Sequence, residues 1–261
     1  MILELDYPAL SLFFMAIFSF VAGFIDSVAG GGGLIQLPAL LITVPNAEIP
    51  VLFGTNKIAG LSGTSMAAWQ YAKKIRFQYG FLFVMSAFTA IASFWGAQTL
   101  HLIDKSLLKP LILVVLIIIA IYTFVKKDLG QKQTKNLSNK EKYFWGIILG
   151  IVIGFYDGFF GPGTGSFLMI GFVVILGYEF ILASAYAKFI NSVANLAALS
   201  VFIWHGNFIL SFAIVMSVSN VLGNYFGSKT AIRRGNQFIR LFFLLVISIL
   251  ILRYAYDVLQ G

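Results

Sequence analysis

The sequence is dominated by apolar runs that carry no charge and are long enough to cross a membrane. Residues 81–100 form one such run, and residues 111–125 with their flanks form another. A helix of about 20 apolar residues crosses the hydrocarbon layer. Only 11% of the chain is charged, against about a quarter in soluble domains. The sequence therefore predicts an all-α polytopic membrane protein, and it excludes a soluble domain. The runs do not alternate as the strands of an outer-membrane barrel do.

Few side chains are suited to metal or thiol chemistry. The chain has no cysteine and two histidines, His101 and His205, which lie near predicted helix ends. We therefore expect no metal, no cofactor and no enzymatic activity. The net charge of +8 is concentrated in loops, which indicates membrane topology rather than nucleic-acid binding. The N-terminus lacks a basic region and a cleavage site, so the first helix is expected to stay in the protein.

The two halves of the chain repeat each other at a constant offset of 131 residues, without a gap. At this offset the segment Gly23-Phe-Ile-Asp26 aligns with Gly154-Phe-Tyr-Asp157, and Lys57 aligns with Lys188. Chance supplies apolar matches in such a chain but not coincident charged residues. We therefore divide the chain into a first transmembrane repeat (1–125), a basic linker (126–142) and a second transmembrane repeat (143–261).

Loop charge predicts the topology. The linker carries six lysines and two acids, so the positive-inside rule places it in the cytoplasm. The basic turns 73–76 and 233–234 have non-basic equivalents in the other half, so equivalent loops lie on opposite sides and the repeats are inverted. Both termini are then extracytoplasmic. Each half has a glycine-broken segment followed by three full spans, predicted at 10–44, 51–72, 79–100 and 107–125, and at 143–176, 184–204, 208–228 and 237–256.

The orientation requires each glycine-broken segment to begin and end on the same side of the membrane, as a re-entrant hairpin. One full span followed by a shorter, tilted span would satisfy the same requirement. The breaks are Gly30-Gly-Gly-Gly33 and Gly161-Pro-Gly-Thr-Gly165. Irregular backbone at membrane depth is tolerated only inside protein or beside a wet cavity. Helices starting near Leu34 and Ser166 would direct their N-termini at the breaks and attract an anion. The alternative is that these glycines only permit close helix packing.

Four charged residues, Asp26, Asp157, Lys57 and Lys188, fall inside apolar segments. A charge at the centre of a membrane helix costs about 2.5 to 3.5 kcal/mol, so these side chains should face the interior and pair. They would either hold the unwound segments together, or the lysines would bind an anion while an aspartate carries a coupling proton. We predict a substrate site formed by glycines of both breaks and by polar residues of the following helices: Gly31, Gly32, Gly33, Asn56, Lys57, Gly163, Thr164, Lys188, Asn191 and Asn195.

The two glycine motifs, the segment Gly54-Thr-Asn-Lys57 and the segment Ala187-Lys-Phe-Ile-Asn191 resemble the TauE/SafE family of sulfite exporter-like permeases over essentially the whole chain. One departure is Ala187, which stands where the first half has Asn56, so a contact from Asn56 would be one-sided. The resemblance implies a bacterial inner-membrane transporter for sulfite, sulfonates or related sulfur-containing anions.

The leading hypothesis is therefore a secondary transporter that exports a small anion by alternating access around the glycine breaks and the buried lysines. Its expected partners are the anion, the lipid bilayer and a coupling proton or sodium ion, although downhill export without a coupling ion is also open. An anion channel and, less favoured, an intramembrane enzyme are the alternatives. No Walker-type loop supports ATP hydrolysis in this chain.

Overall fold

The protein is described by a computed structural model that covers residues 8–100 and 130–260. Every regular element in these two ranges is an α-helix. In chain order the helices are α1 (Ala9–Ala29), α2 (Gly33–Thr43), α3 (Ile49–Ala72), α4 (Tyr79–Gln98), α5 (Asn139–Phe159), α6 (Thr164–Val174), α7 (Phe180–Trp204) and α8 (Leu210–Gln260), the last interrupted at the non-helical Gly235. The predicted span 107–125 and His101 lie outside the described residues.

Helix lengths agree with an all-α polytopic membrane protein. Five helical stretches are long and apolar enough to cross a bilayer, namely α1, α4, α5, α7 and residues 210–249 of α8. Helix α3 has 24 residues but carries many small and polar side chains. Helices α2 and α6 have 11 residues each. At 1.5 Å per residue each short helix is about 16 Å long, roughly half of the hydrocarbon thickness.

The helix pattern follows the internal repeat. At the offset of 131 residues the bounds of α2 match those of α6, and α1, α3 and α4 fall on α5, α7 and the start of α8. Pairs of helices repeat as well, because α1 packs on α8 as α4 packs on α5. Two helix starts differ from the prediction by four residues. Helix α7 begins at Phe180 instead of residue 184. Helix α5 begins at Asn139, four residues before the predicted segment, because Ser138 and Glu141 form a capping box within the charged linker.

Each short helix folds back along the helix before it. Met15 near the start of α1 packs in one core cluster with Leu40 of α2, Leu52 of α3 and Phe212 of α8. In the second half, Gly171 of α6 lies against the Leu149 side chain of α5. The glycine-broken segments are therefore hairpins, each built from one full-length helix and one short helix.

The basic segments predicted to be cytoplasmic meet at one end of the helix bundle. Lys142 Nζ donates a hydrogen bond to Gln78 Oε1, which lies just after the basic turn at 73–76, at 2.9 Å. Asn236, beside the basic pair 233–234, donates from Nδ2 to the backbone oxygen of Gln131 in the linker. Residues 44–48 and 205–209 lie at the opposite end, where Thr55 Oγ1 accepts a hydrogen bond from the Ile209 N–H. The opposite orientation of the two halves stays a prediction.

The linker also holds the second hairpin. Lys135 Nζ donates hydrogen bonds to the carbonyl oxygens of Val174 and Ile175 at 2.8 and 3.1 Å. The positive charge of Lys135 interacts favourably with the negative C-terminal end of the α6 dipole. Backbone hydrogen bonds from Thr134 to Gly177 and from Phe180 to Gly130 fasten the same segment to the α6–α7 loop.

The predicted topology can be tested by cysteine labelling, because the chain has no native cysteine. Single cysteines at the exposed positions Asn46, Lys74 and Lys140 should react differently with a membrane-impermeant maleimide. We expect labelling of N46C in intact cells, and labelling of K74C and K140C only after permeabilisation. Labelling of N46C and K74C from the same side would contradict the predicted topology.

Candidate functional site

The two breaks are chain reversals that only glycine accommodates without strain. Gly30 and Gly31 have φ angles of 78° and 87°, and Gly161 and Gly163 have φ angles of 86° and 88°. These values lie in the left-handed region, which other residues rarely adopt. The glycine runs therefore let α1 and α5 turn back into α2 and α6 within a few residues.

The reversals also approach each other. Gly30 packs so tightly on the backbone of Gly165 and Ser166 that a Cβ atom would overlap it. Ser166 Oγ donates a hydrogen bond to the carbonyl oxygen of Ala29 at 2.9 Å. The end of α1 and the start of α6, which belong to different halves, are thus in direct contact. The glycines therefore permit close packing at this point, and a substrate site at the breaks stays a prediction.

A small cavity of about 40 Å³ lies between the reversals. Its wall contains the N-terminal residues of both short helices, Gly33 of α2 and Thr164 of α6. The free N–H groups at a helix start carry roughly half of a positive elementary charge. The cavity is far below the ≈ 300–1,000 Å³ of pockets for drug-sized ligands. It offers two helix N-termini to a ligand of a few heavy atoms.

The four charged residues form two ion pairs that cross between the halves. Lys57 Nζ lies 2.6 Å from Asp157 Oδ2, and Lys188 Nζ lies 2.9 Å from Asp26 Oδ2. All four residues are buried, with 1% to 7% of their surface exposed. Because each lysine is matched by an aspartate, the charges of these side chains cancel.

Further hydrogen bonds fix the two pairs. Lys57 Nζ also donates to the backbone oxygen of Asp157 at 2.9 Å, near the negative C-terminal end of α5. Ser93 Oγ donates to Asp157 Oδ2 at 3.3 Å. Asp26 Oδ1 accepts the backbone N–H of Gly32 at 3.3 Å, so this carboxylate also supports the first reversal.

Carboxamide side chains complete the wall. Gln36 Nε2, Asn56 Oδ1 and Asn191 Oδ1 are buried and have no hydrogen-bond partner within the described part of the chain. Leaving a buried polar atom unpaired costs about 1 to 3 kcal/mol. Three such atoms lie beside one cavity, so its wall offers hydrogen-bonding groups that a polar ligand could pair.

The structure brings the predicted site residues together. Eleven of the twelve line the cavity: Asp26, Gly31, Gly32, Gly33, Asn56, Lys57, Asp157, Gly163, Thr164, Asn191 and Asn195. Lys188 is not in the wall, but its Nζ contacts Asp26 and lies close to Gly165. Whether these residues bind a substrate stays a prediction.

Six residues of the wall lie outside the predicted set: Gly60, Thr64, Gly161, Gly165, Gln36 and Asn220. Gln36 and Asn220 have carboxamide side chains inside helical stretches that the sequence predicts to be in the membrane, and this is the signal that could have identified them. Residues 8–100 and 130–260 contain no group of three or more His, Cys, Asp or Glu residues that could hold a metal ion.

Membrane-length helices, two discontinuous hairpins and a polar cavity between repeated halves define the class of membrane transporters. A family model described as Sulfite exporter TauE/SafE matches residues 15–254. The chain belongs to this TauE/SafE family.

Curated relatives carry corresponding names. The chain is 36% identical, over 97% of its length and 95% of the relative, to the "Probable membrane transporter protein ORF9" of Sinorhizobium sp. It is 31% identical to a "Probable membrane transporter protein" of Haemophilus influenzae, over 91% of the chain and 92% of the relative. It is also 31% identical to the "Probable membrane transporter protein YfcA" of Escherichia coli, over 94% of the chain and 89% of the relative. No solved structure matches the chain.

The ion pairs generate a stability prediction. Replacing Lys57 by Met leaves Asp157 buried without its cationic partner, so we expect a loss of roughly 3 to 5 kcal/mol in the free energy of unfolding. The double variant K57M/D157L should recover most of this loss, because no charge remains unpaired. Thermal and denaturant unfolding of the detergent-solubilised protein would measure both changes.

The equivalent pair Lys188–Asp26 supplies the matched comparison, with K188M and K188M/D26L expected to behave alike. A K57M variant as stable as the wild type would show that the Lys57–Asp157 pair makes no net contribution to folding.

Proposed function

We propose that this chain is a secondary transporter that exports a small sulfur-containing anion, such as sulfite or a sulfonate, by alternating access. The observation that carries the proposal is the convergence of two helix N-termini and unpaired carboxamides on one small cavity between the halves. In transporters built from inverted repeats, discontinuous helices direct their N-termini at anionic groups of the substrate. The sulfur-containing substrate is suggested by the family description, Sulfite exporter TauE/SafE.

The paired charges suggest how binding is coupled. The lysines are neutralised by Asp157 and Asp26, so an incoming anion adds a negative charge that these side chains do not balance. An unbalanced ion in a low-dielectric site costs several kcal/mol. Protonation of one aspartate removes its negative charge and releases its lysine for the anion. One proton would then accompany each monovalent anion, so the charge of the site would not change, and the outward concentration gradient of the anion, not the proton gradient, would drive export.

The ion pairs also connect binding to movement. Each pair joins a helix of the first half to a helix of the second half, α3 to α5 and α7 to α1. Rocking of one half against the other must break these contacts or carry them along. When the aspartate of a pair takes up a proton and its lysine binds the anion, the ion pair is broken and that link between the halves is weakened. In this mechanism substrate binding therefore lowers the cost of reorienting the cavity.

The proposal predicts proton-coupled flux in proteoliposomes. With wild-type protein we expect saturable sulfite flux that moves protons in the same direction, detected by a pH-sensitive dye trapped in the lumen. The variants K57A and K188A should lower this flux at least tenfold, because each removes a cation that would bind the anion. K74A removes an exposed lysine and is the control, with flux expected to equal that of the wild type.

The double variants K57M/D157L and K188M/D26L separate transport from folding, since they leave no buried charge unpaired. Normal sulfite flux in both would refute the assigned role of the ion pairs. Flux without counterflow, at rates above those of a carrier cycle, would indicate a channel. Chemical conversion of sulfite by purified protein without a gradient would indicate an enzyme.

A further inference from the structure

Gln36 is a buried carboxamide that the ion pairs and the reversals do not use. It lies one turn after Gly33 in α2, has 2% of its surface exposed and lines the cavity. Its Nε2 atom has no acceptor among the described residues. Buried amides in native proteins nearly always have partners, so this group requires an explanation.

The internal repeat shows that α2 does not need a polar residue at this position. The equivalent residue of α6 is Phe167, which packs edge-to-face on Tyr156 with ring centroids 5.3 Å apart. Phe167 is not part of the cavity wall. A helix of the same length with an apolar side chain at this position is therefore compatible with the fold. A function in the cavity explains Gln36 better than a requirement of the helix does.

Two neighbouring carboxamides, like Gln36, have no carboxamide at the equivalent position of the other half. Asn56 and Asn191 line the cavity with Gln36, and each has an oxygen without a hydrogen-bond donor in the described ranges. Their repeat equivalents are Ala187 and Gly60. The charged pairs are symmetric between the halves, but the carboxamides are not. The hydrogen-bonding groups of the cavity wall therefore differ between the two halves.

We infer that Gln36 is a specificity-determining residue that makes the cavity select compact oxyanions over halides. The inference rests on the proposed function and concerns the same cavity. An oxyanion accepts hydrogen bonds in fixed directions at several oxygens, whereas a halide has no preferred direction. A rigidly placed N–H donor that would otherwise stay unpaired favours a ligand with an oxygen at that point, and it discriminates against one without it. Asn56 and Asn191 can rotate their amides to present either N–H or C=O to the remaining oxygens.

The test compares Q36L with F167L, the matched variant at the equivalent position of the second half. Sulfite, nitrate and chloride would each be titrated into the full-length purified protein, and affinity would be read from ligand-dependent thermal stabilisation. Q36L should weaken sulfite and nitrate binding by about tenfold to a hundredfold, the effect of losing one hydrogen bond to an anion. Chloride binding should change less than threefold. F167L should bind all three anions as the wild type does.

Stability without ligand distinguishes selectivity from a structural role. Q36L removes an unpaired polar atom, so the Tm of the anion-free protein should stay the same or rise. A fall in Tm of Q36L together with unchanged anion selectivity would overturn the inference. Q36M, which keeps the length of the side chain, provides the same comparison if Q36L does not fold. Q36E places a carboxylate against the anion and should abolish binding at neutral pH.

The outcomes separate this inference from the proposed function. Sulfite binding by the wild type with equal selectivity in Q36L and Q36M would refute the role of Gln36 and leave the transport proposal intact. Absence of stabilisation of the wild type by any of the three anions would count against an anion site, and with it against both proposals.

Discussion

The structure depends on the need to neutralise four charges inside a membrane-spanning helix bundle. Lys57 and Lys188 can be buried only because Asp157 and Asp26 lie beside them, and in both pairs the partner belongs to the other half of the chain. This requirement aligns α3 with the end of α5, and α7 with the end of α1. It also brings the glycine reversals together, because both aspartates lie in the last turn or two before a reversal.

The cavity results from this arrangement. Helices α1 and α5 end at left-handed glycines beside the ion pairs, and the short helices α2 and α6 start again near the same charges. The N-termini of α2 and α6 and several carboxamides therefore surround a small volume, and the charged side chains beside it are already paired with each other. In such a site the dominant forces on a ligand are directed hydrogen bonds and helix-end dipoles.

Much of the fold could be predicted from the sequence, because glycines and prolines mark the helix ends clearly. The glycine runs and loop prolines set the helix limits to within a few residues, and the offset between the halves identifies the equivalent charges. The start of α5 was missed, since a capping box inside a lysine-rich segment resembles an ordinary linker. The choice of partners could not be predicted, because pairing within a half would satisfy Lys57 and Asp26 equally well. Gln36 was missed because its burial depends on where the reversal places α2.

The exchange of partners between the halves has an evolutionary consequence. At equivalent positions the contacts Lys57–Asp157 and Lys188–Asp26 are the same contact made twice, as in an isologous dimer. A single ancestral half, inserted into the membrane in both orientations, would have formed both pairs on dimerisation. Fusion of two gene copies would have allowed the halves to diverge, and the carboxamides of the cavity wall, which have no carboxamide at the equivalent positions, illustrate that divergence. A homodimer could not have placed Gln36 opposite a different residue.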